Sequence, residues 1–355
     1  MSRQAWRRTW FSVHKWIGLL LAVLIIPISF SGAVLVWHEE IEHRIHPERF
    51  AVTAGPAIGA DAYLAAARGA IGAGDRVSTL AMPHDGEAAV VTASAASGKG
   101  GPPVRTSVYL DPPTGRVMAV ARSNEGLLRV LHILHGSLYV PGVGRQVVGW
   151  IGVAMMLSAF TGLWLWWPAM GRWTRGLRWR RHPNVDANIH HQAGFWIALP
   201  LFVLSLTGAW ISFPAFFGRI SGDARPAGGG GRPVPVAAPR LAIGDVLAAA
   251  GGAAVTNIAW PTDRKAAWTL RTANGQLSVD DATRAVTREP APPSGVARLM
   301  RRVHDGTDMG IVWRVLIFLG GLIPVVLAVT GAIMWWRARG RRAGTMRPPR
   351  VRAVA

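Results

Sequence analysis

The chain has 355 residues, of which 50% are apolar and 16% charged, with 17 Trp, no Cys and a formal net charge of +20 at pH 7. So many apolar and so few charged residues exclude an ordinary soluble basic protein and point to a chain that crosses a membrane several times. Without Cys there are no disulfides and no thiolate-held iron–sulfur clusters, so a metal site must rest on His, Asp, Glu, Met or Tyr.

Four stretches free of Asp, Glu, Lys and Arg are long enough to cross a hydrocarbon core, which needs about 20 apolar residues. They are 16–37, 146–171, 192–218 and 315–336. The first follows a basic N-terminus, as a signal peptide would. Its apolar run outlasts an h-region of about 7 to 15 residues and "VLVWHEEIEHR" offers no small-residue cleavage site, so it reads as an anchor.

Arg3, Arg7, Arg8 and Lys15 precede the first span; Arg172, Arg175, Arg178, Arg180 and Arg181 separate the second from the third; Arg337, Arg339, Arg341 and Arg342 follow the fourth. The positive-inside rule then places both termini and the central loop in the cytoplasm. Topology accounts for these runs, and no nucleic-acid partner is expected. Arg298, Arg301, Arg302 and Arg314, on the outer side of the fourth span, run against the rule.

The expected organisation is therefore a cytoplasmic N-terminus and first span (1–42), an outer domain (43–126), an outer-side His segment and second span (127–171), a basic cytoplasmic loop (172–189), a third span (190–218), a second outer domain (219–297), a second His segment and fourth span (298–336), and a basic tail (337–355). Each outer segment opens with an Ala-rich helical pattern, "ADAYLAAARGAI" or "IGDVLAAAGG", and continues as three or four short strands. The stretches "SGKGGPP" (97–103) and "ARPAGGGGRPVPV" (224–236) read as loops or linkers, without the strand-then-helix context of a phosphate-cradling motif.

The two halves repeat each other. Each span carries a Ser/Thr-Gly pair: Ser31-Gly32, Thr161-Gly162, Thr207-Gly208 and Thr330-Gly331. His14 to Gly32 and His190 to Gly208 are both 18 residues, with Gly18 and Gly194 four residues after the histidines; His135 to Gly162 and His304 to Gly331 are both 27, with Arg145 and Arg314 matched between. "LDPPTGRV" (110–117) and "VDDATRAV" (279–286) share a strand-turn-strand pattern. The fold class expected is an α-helical membrane protein with four transmembrane helices as a duplicated two-helix unit, carrying two small α+β domains.

The repeat sorts the 11 histidines. His14, His190, His135 and His304 recur at matched positions, the first two at the cytoplasmic end and the others before the second and fourth spans on the outer side. In a pseudo-twofold bundle equivalent residues face each other across the axis, so each level offers two imidazoles to one planar cofactor. Haem b fits, because its iron accepts two axial His nitrogens. On an ideal helix 18 residues make five whole turns, which puts Gly32 on the face of His14 and Gly208 on that of His190, and the glycines, with Gly162 and Gly331, leave room for a macrocycle. His132, His38 and His191 are secondary candidates, unmatched in the other half. Ser/Thr-Gly pairs also serve as plain helix-packing devices, and the Trp clusters "WLWWP" (164–168) and "MWW" (334–336) read as an aromatic belt. Proton relay is a competing use of intramembrane histidines, although no span so delimited contains Asp or Glu.

"VHKWIGLLLAVLIIPISFSGAVLVWHEE", "LHGSLYVPGVGRQVVGWIGVAMMLSAFTGLWLWWP" and "HHQAGFWIALPLFVLSLTGAWISF" resemble the PepSY-associated transmembrane family of bacterial inner-membrane proteins, with periplasmic PepSY domains between spans. The resemblance implies a haem-containing reductase that delivers electrons to a ferric siderophore or other ferric chelate in the periplasm, with His14, His135, His190 and His304 as haem iron ligands and two haems b. Some relatives add a flavin and nicotinamide domain. This chain has none, so its donor would be a quinol or a separate reductase. Expected partners are the lipid bilayer, the chelate and a periplasmic binding protein. The alternatives are a haem-free PepSY sensor or scaffold that binds a periplasmic protein or regulates a protease, and an iron or siderophore permease component.

Overall fold

The computed structural model describes residues 2–84, 86–95, 104–167, 177–179, 182–222, 233–289 and 295–345. Most of the basic central loop, "SGKGGPP", most of the second glycine-rich stretch and the end of the tail lie outside the described residues.

The elements of the first half are α1 (Arg3–Leu35), α2 (His38–Ile45), α3 (Ala60–Ala67), β1 (Asp75–Ala81), β2 (Ala89–Ala95), β3 (Arg105–Leu110), β4 (Val117–Arg122), α4 (Leu127–Ser137) and α5 (Gly144–Trp166). Those of the second are α6 (Val185–Ser212), α7 (Pro214–Ser221), α8 (Ile243–Ala249), β5 (Val255–Ala259), β6 (Ala267–Thr272), β7 (Gly275–Asp280), β8 (Val286–Glu289), α9 (Val296–Asp305) and α10 (Gly310–Thr345). They form two compact units: Met1–Trp37, Val130–Pro226 and Ser294–Ala355 make a helical unit, and His38–Arg129 and Ala227–Pro293 a sheet unit.

In the helical unit α1, α5, α6 and α10 are long and apolar enough to cross a membrane. All four differ in extent from the charge-free stretches. Hydropathy marks the part of a helix that suits lipid, whereas backbone hydrogen bonding continues through Lys15 in α1, Arg314 and Arg337 in α10, and Asp186, His190 and His191 in α6. At its other end α6 stops at Ser212 rather than 218, because Phe213 leaves helical dihedrals (φ −114°, ψ 59°) ahead of Pro214, which opens α7. A proline ring excludes its predecessor from the helical region and suits a first helical position.

The four helices pack as a closed ring, α1 on α5, α5 on α6, α6 on α10 and α10 on α1, so that α1 and α6 stand at opposite corners. Two of the contacts are built alike. A Cβ on Gly152 of α5 would lie 3.3 Å from the Ser205 carbonyl oxygen and 3.7 Å from Ala209 Cβ of α6; one on Gly321 of α10 would lie 2.7 Å from the Ser29 carbonyl oxygen and 2.8 Å from Ala33 Cβ of α1. Small residues one helical turn apart let the backbones approach, which is how helices associate where lipid offers no hydrophobic driving force. Arg145 and Arg314 repeat each other too. Arg145 donates to the Ile211 carbonyl at the end of α6, and Arg314 donates to the Val36 carbonyl just past α1 at 2.9 Å while lying over the Trp37 ring. Ile25, Ile28, Ile151, Met155, Ala159, Ile197 and Leu201 fill the middle of the bundle.

In the sheet unit the strands run in the order β4-β3-β2-β1-β5-β6-β7-β8, every neighbouring pair antiparallel. Each segment supplies its Ala-rich helix, α3 or α8, and a four-strand meander, as its pattern suggested. The segments do not stand as two separate domains, however: β1 pairs with β5 in the register Thr79↔Ala259, Leu80↔Ile258, Ala81↔Asn257, and one core runs through both. Joining them satisfies two edge strands that would otherwise expose unpaired backbone groups. Leu80 and Ile258, at the centre of the seam, are fully buried with Tyr63, Leu110, Trp268 and Leu270.

The hairpin turns also correspond. Gly115 (φ 67°) and Arg284 (φ 61°) take the left-handed position, and their N–H groups donate to the Asp111 and Asp280 carbonyls. The buried Asp111 carboxylate accepts from Thr114 Oγ1 and from Thr53 through both N–H and Oγ1. The second half divides this work: Asp280 accepts from Thr283, and Asp281 accepts from the Arg240 and Leu241 N–H groups and from Trp268 Nε1.

Candidate functional site

All four repeated histidines lie in the helical unit, and they meet in pairs. His14 of α1 and His190 of α6, from opposite corners of the ring, have ring centroids 6.4 Å apart with planes at 85°. His135 of α4 and His304 of α9 have centroids 6.0 Å apart with planes at 39°. Gly32 lies against His135 and is 18 residues along α1 from His14, so the two pairs are about 27 Å apart along the helix axis.

Each imidazole is seated on the Ser/Thr-Gly pair of the other span in its own half. A Cβ on Gly162 would stand 3.0 Å from His14 Cε1, on Gly331 3.4 Å from His190 Cε1, on Gly32 2.7 Å from His135 Cε1, and on Gly208 3.1 Å from His304 Cε1. These glycines were expected to clear space for a macrocycle. They make room for the imidazoles instead. Gly18 has open space where its side chain would be, and Gly194 meets only Leu327 Cδ2 at 3.8 Å, so the room beside His14 and His190 is one helical turn further along their own helices.

The hydrogen bonds repeat with the glycines. His14 Nδ1 is 3.1 Å from the Ser158 carbonyl oxygen and 3.2 Å from Thr161 Oγ1; His304 Nδ1 is 3.2 Å from the Leu204 carbonyl oxygen and 3.0 Å from Thr207 Oγ1. His190 Nδ1 is 3.0 Å from Thr330 Oγ1, with the Leu327 carbonyl as a backbone partner, and His135 Nδ1 is 2.9 Å from the Ile28 carbonyl oxygen. In every case the carbonyl is four residues before the glycine. Thr161, Thr207 and Thr330 donate their own protons back to carbonyls of their helices, so their oxygens accept from the imidazole. Donation from Nδ1 fixes the tautomer that carries a lone pair on Nε2. Burial holds His135 and His304 below the usual imidazole range, His304 down to about 4, so both are neutral at physiological pH.

The secondary candidates do not repeat the seat of the paired histidines. His132 is exposed on α4, three residues before His135. His38 begins α2 in the sheet unit. The His191 ring is 6.2 Å from that of His190, but its Nδ1 donates to the Ala187 carbonyl of its own helix at 2.7 Å and its ring lies closer, 4.5 Å, to that of His182.

Two features were missed in the sequence. The hydroxyls of Thr161, Thr207 and Thr330 stood in view, but only as packing partners of the glycines. Asp186 lay outside the charge-free windows, yet it is buried in the first turn of α6 and pairs with Arg337 at 2.5 Å. The spanning helices therefore do contain a carboxylate. Among the described residues no three His, Cys, Asp or Glu side chains gather at one point, so each histidine pair offers a metal two protein ligands.

No curated protein matches the chain. Across residues 11–338, nearly all of the spans, both histidine pairs and the sheet, the chain matches the model for the PepSY-associated TM region, and it belongs to that family of membrane proteins.

Proposed function

We propose that the chain is a duplicated, di-haem b electron-transfer protein of a bacterial inner membrane, which reduces a ferric siderophore or another ferric chelate at the periplasmic face. The observation that carries this reading is the meeting of the four repeated histidines in two couples. The ring centroids are 6.4 and 6.0 Å apart, close enough for each couple to hold one metal ion between its members. With only two protein ligands at each level, the remaining positions suit a planar macrocycle, and haem b, when bound, supplies one-electron chemistry at each level.

The residues of the chain then have definite work. His14 with His190, and His135 with His304, would hold the iron through Nε2. The Gly-minus-four carbonyls and the Thr161, Thr207 and Thr330 hydroxyls orient the rings and raise their basicity. The apolar layer of Ile25, Ile28, Ile151 and Met155 keeps water out between the levels. Arg7, Arg8, Lys15, Arg178, Arg337 and Arg339 at the His14/His190 end favour a cytoplasmic placement for that end, and hence a periplasmic one for the other. Reduction to ferrous iron weakens the match to hard oxygen ligands and loosens the chelate.

The test is the visible spectrum of the protein purified in detergent. A sharp Soret band with a b-type α-band on reduction is expected, together with reoxidation by a ferric chelate. A colourless protein, or one whose spectrum survives loss of all four histidines, overturns the reading.

A further inference from the structure

An open groove of about 700 Å³ runs along α1, between the ridge Arg8, Ser12, Trp16, Leu20 and a second ridge that starts at Thr9 and ends at Leu21. Residues four apart on a helix form such ridges, and the furrow between them is where another body packs. Trp16 and Leu20 are 46% and 69% exposed, so no other helix of the bundle covers this face. It points away from Ser29 and Ala33, where α1 meets Gly321 of α10.

The groove is polar at one end only. Arg8, Thr9 and Ser12 line the end nearer the N-terminus. From Val13 to Leu21 the lining is apolar or aromatic over about 12 Å, close to the hydrocarbon depth of one leaflet, about 15 Å. The charge at the polar end is not balanced within the spanning helices. Arg7 donates to the Leu165 carbonyl at 3.2 Å, whereas Arg8 is exposed on the groove. No Asp or Glu precedes Glu39, and Asp186, the one carboxylate of the described spanning helices, is paired with Arg337.

We propose that this groove binds an anionic phospholipid, with its phosphate at Arg8 and Ser12 Oγ and an acyl chain between the two ridges. A headgroup of net negative charge supplies the missing counter-charge, and Lys15 adds a second cation at the same wall, its ammonium 4.7 Å from the Trp16 ring. Another spanning helix fits less well, because close helix approach needs small residues and the apolar stretch of the groove is walled by Trp16, Ile17, Leu20 and Leu21. A second copy in a parallel twofold dimer would also set Arg8 against Arg8. The site uses neither histidine pair, so it stands or falls independently of the haem reading.

Native mass spectrometry of the full-length protein, released from micelles with equal amounts of phosphatidylglycerol and phosphatidylcholine, reads the occupant directly. Preferential retention of phosphatidylglycerol is expected. Arg8→Gln should lower that retention about fivefold, the weight of one basic residue at an anionic membrane surface. Ser12→Trp, which fills the groove and keeps the charge, should lower it too. Arg339→Gln removes a cation at the same end of the bundle but outside the groove, and should leave retention as it is. Absence of a preference, retention unchanged in Arg8→Gln or Ser12→Trp, or an equal fall in Arg339→Gln overturns the proposal. Because the chain has no Cys, Leu20→Cys reports a second copy cleanly. Monomers under oxidising conditions in membranes support the lipid, and disulfide-linked dimers would place α1 against α1 and overturn it.

Discussion

A methyl group on Gly32 would stand 2.7 Å from His135 Cε1, nearer than carbon atoms approach, so the imidazole fits only because residue 32 has no side chain. The same relation holds less tightly for Gly162 with His14 and Gly208 with His304, at 3.0 and 3.1 Å, and least for Gly331 with His190, at 3.4 Å. Alanine substitutions should therefore form a graded series. Gly32→Ala must push His135 off the Ile28 carbonyl and, on the proposed haem reading, is expected to abolish the spectroscopic signal of that level alone, whereas Gly331→Ala should leave His190 in place. Visible spectra of the four variants at equal protein concentration check the order; four equal losses would mean that the glycines serve only backbone packing.

The adjacent imidazoles of His190 and His191 should differ sharply on removal. His190 faces His14 and Thr330, while His191 donates to Ala187 and lies against His182. His190→Ala is expected to remove the signal of the His14/His190 level and His191→Ala to keep it. Reductive titration followed by absorbance separates the two levels by potential. Equal loss from both variants would place the ligand wrongly.

These pairs were open to a reader of the sequence because fixed spacings repeat: 18 residues from His14 to Gly32 and from His190 to Gly208 place residues at matching depths whatever the helix limits are. Asp186 was hidden by the same procedure that found the spans, since a charge-free window must stop short of any carboxylate, even one neutralised by Arg337. The seam between β1 and β5 was hidden for another reason. Which strand pairs with which is a non-local choice, and neither Leu80 nor Ile258 carries a local mark of its partner. The threonines were visible, but their partner is a histidine 97 residues away for Thr207 and 140 for Thr330, so the sequence showed them only beside the glycine that follows.

Thr207→Val and Thr330→Val keep the shape of the side chain and remove the oxygen that accepts from Nδ1. Residues that orient a metal-bound histidine in this way typically change metal affinity or activity by about 10- to 100-fold when lost. The expectation here lies at the low end, because the Leu204 and Leu327 carbonyls remain as acceptors. On the proposed di-haem reading, haem retention during dialysis and the midpoint potential of the affected level are the measurements. Retention and potential equal to wild type in both variants would reduce the hydroxyls to helix-packing groups.

The sheet unit should lose stability in acid through Asp111 and Asp281. Hydrogen bonds from Thr114 Oγ1 and the Thr53 N–H hold the Asp111 carboxyl below its usual range. At Asp281 burial acts in the opposite direction, but donation from the Arg240 and Leu241 N–H groups and from Trp268 Nε1 outweighs it, and the net shift is again downward. A carboxylate whose folded value is depressed contributes stability above its unfolded value, about pH 3.9, and loses that contribution as pH falls toward the folded value. Near-ultraviolet circular dichroism of Trp260 and Trp268, whose rings lie 4.9 Å apart in this core, should therefore be flat from neutral pH to about pH 5 and fade below it. Asp281→Asn replaces the charged acceptor of three donors and should lower stability at pH 7 by about 2 kcal/mol, the scale of hydrogen bonds to a charged group, and the Trp signal of that variant should no longer respond to acid through this site. A variant as stable as wild type at pH 7, with the same acid response, would show that Asp281 does not hold the Arg240–Leu241 segment to the sheet.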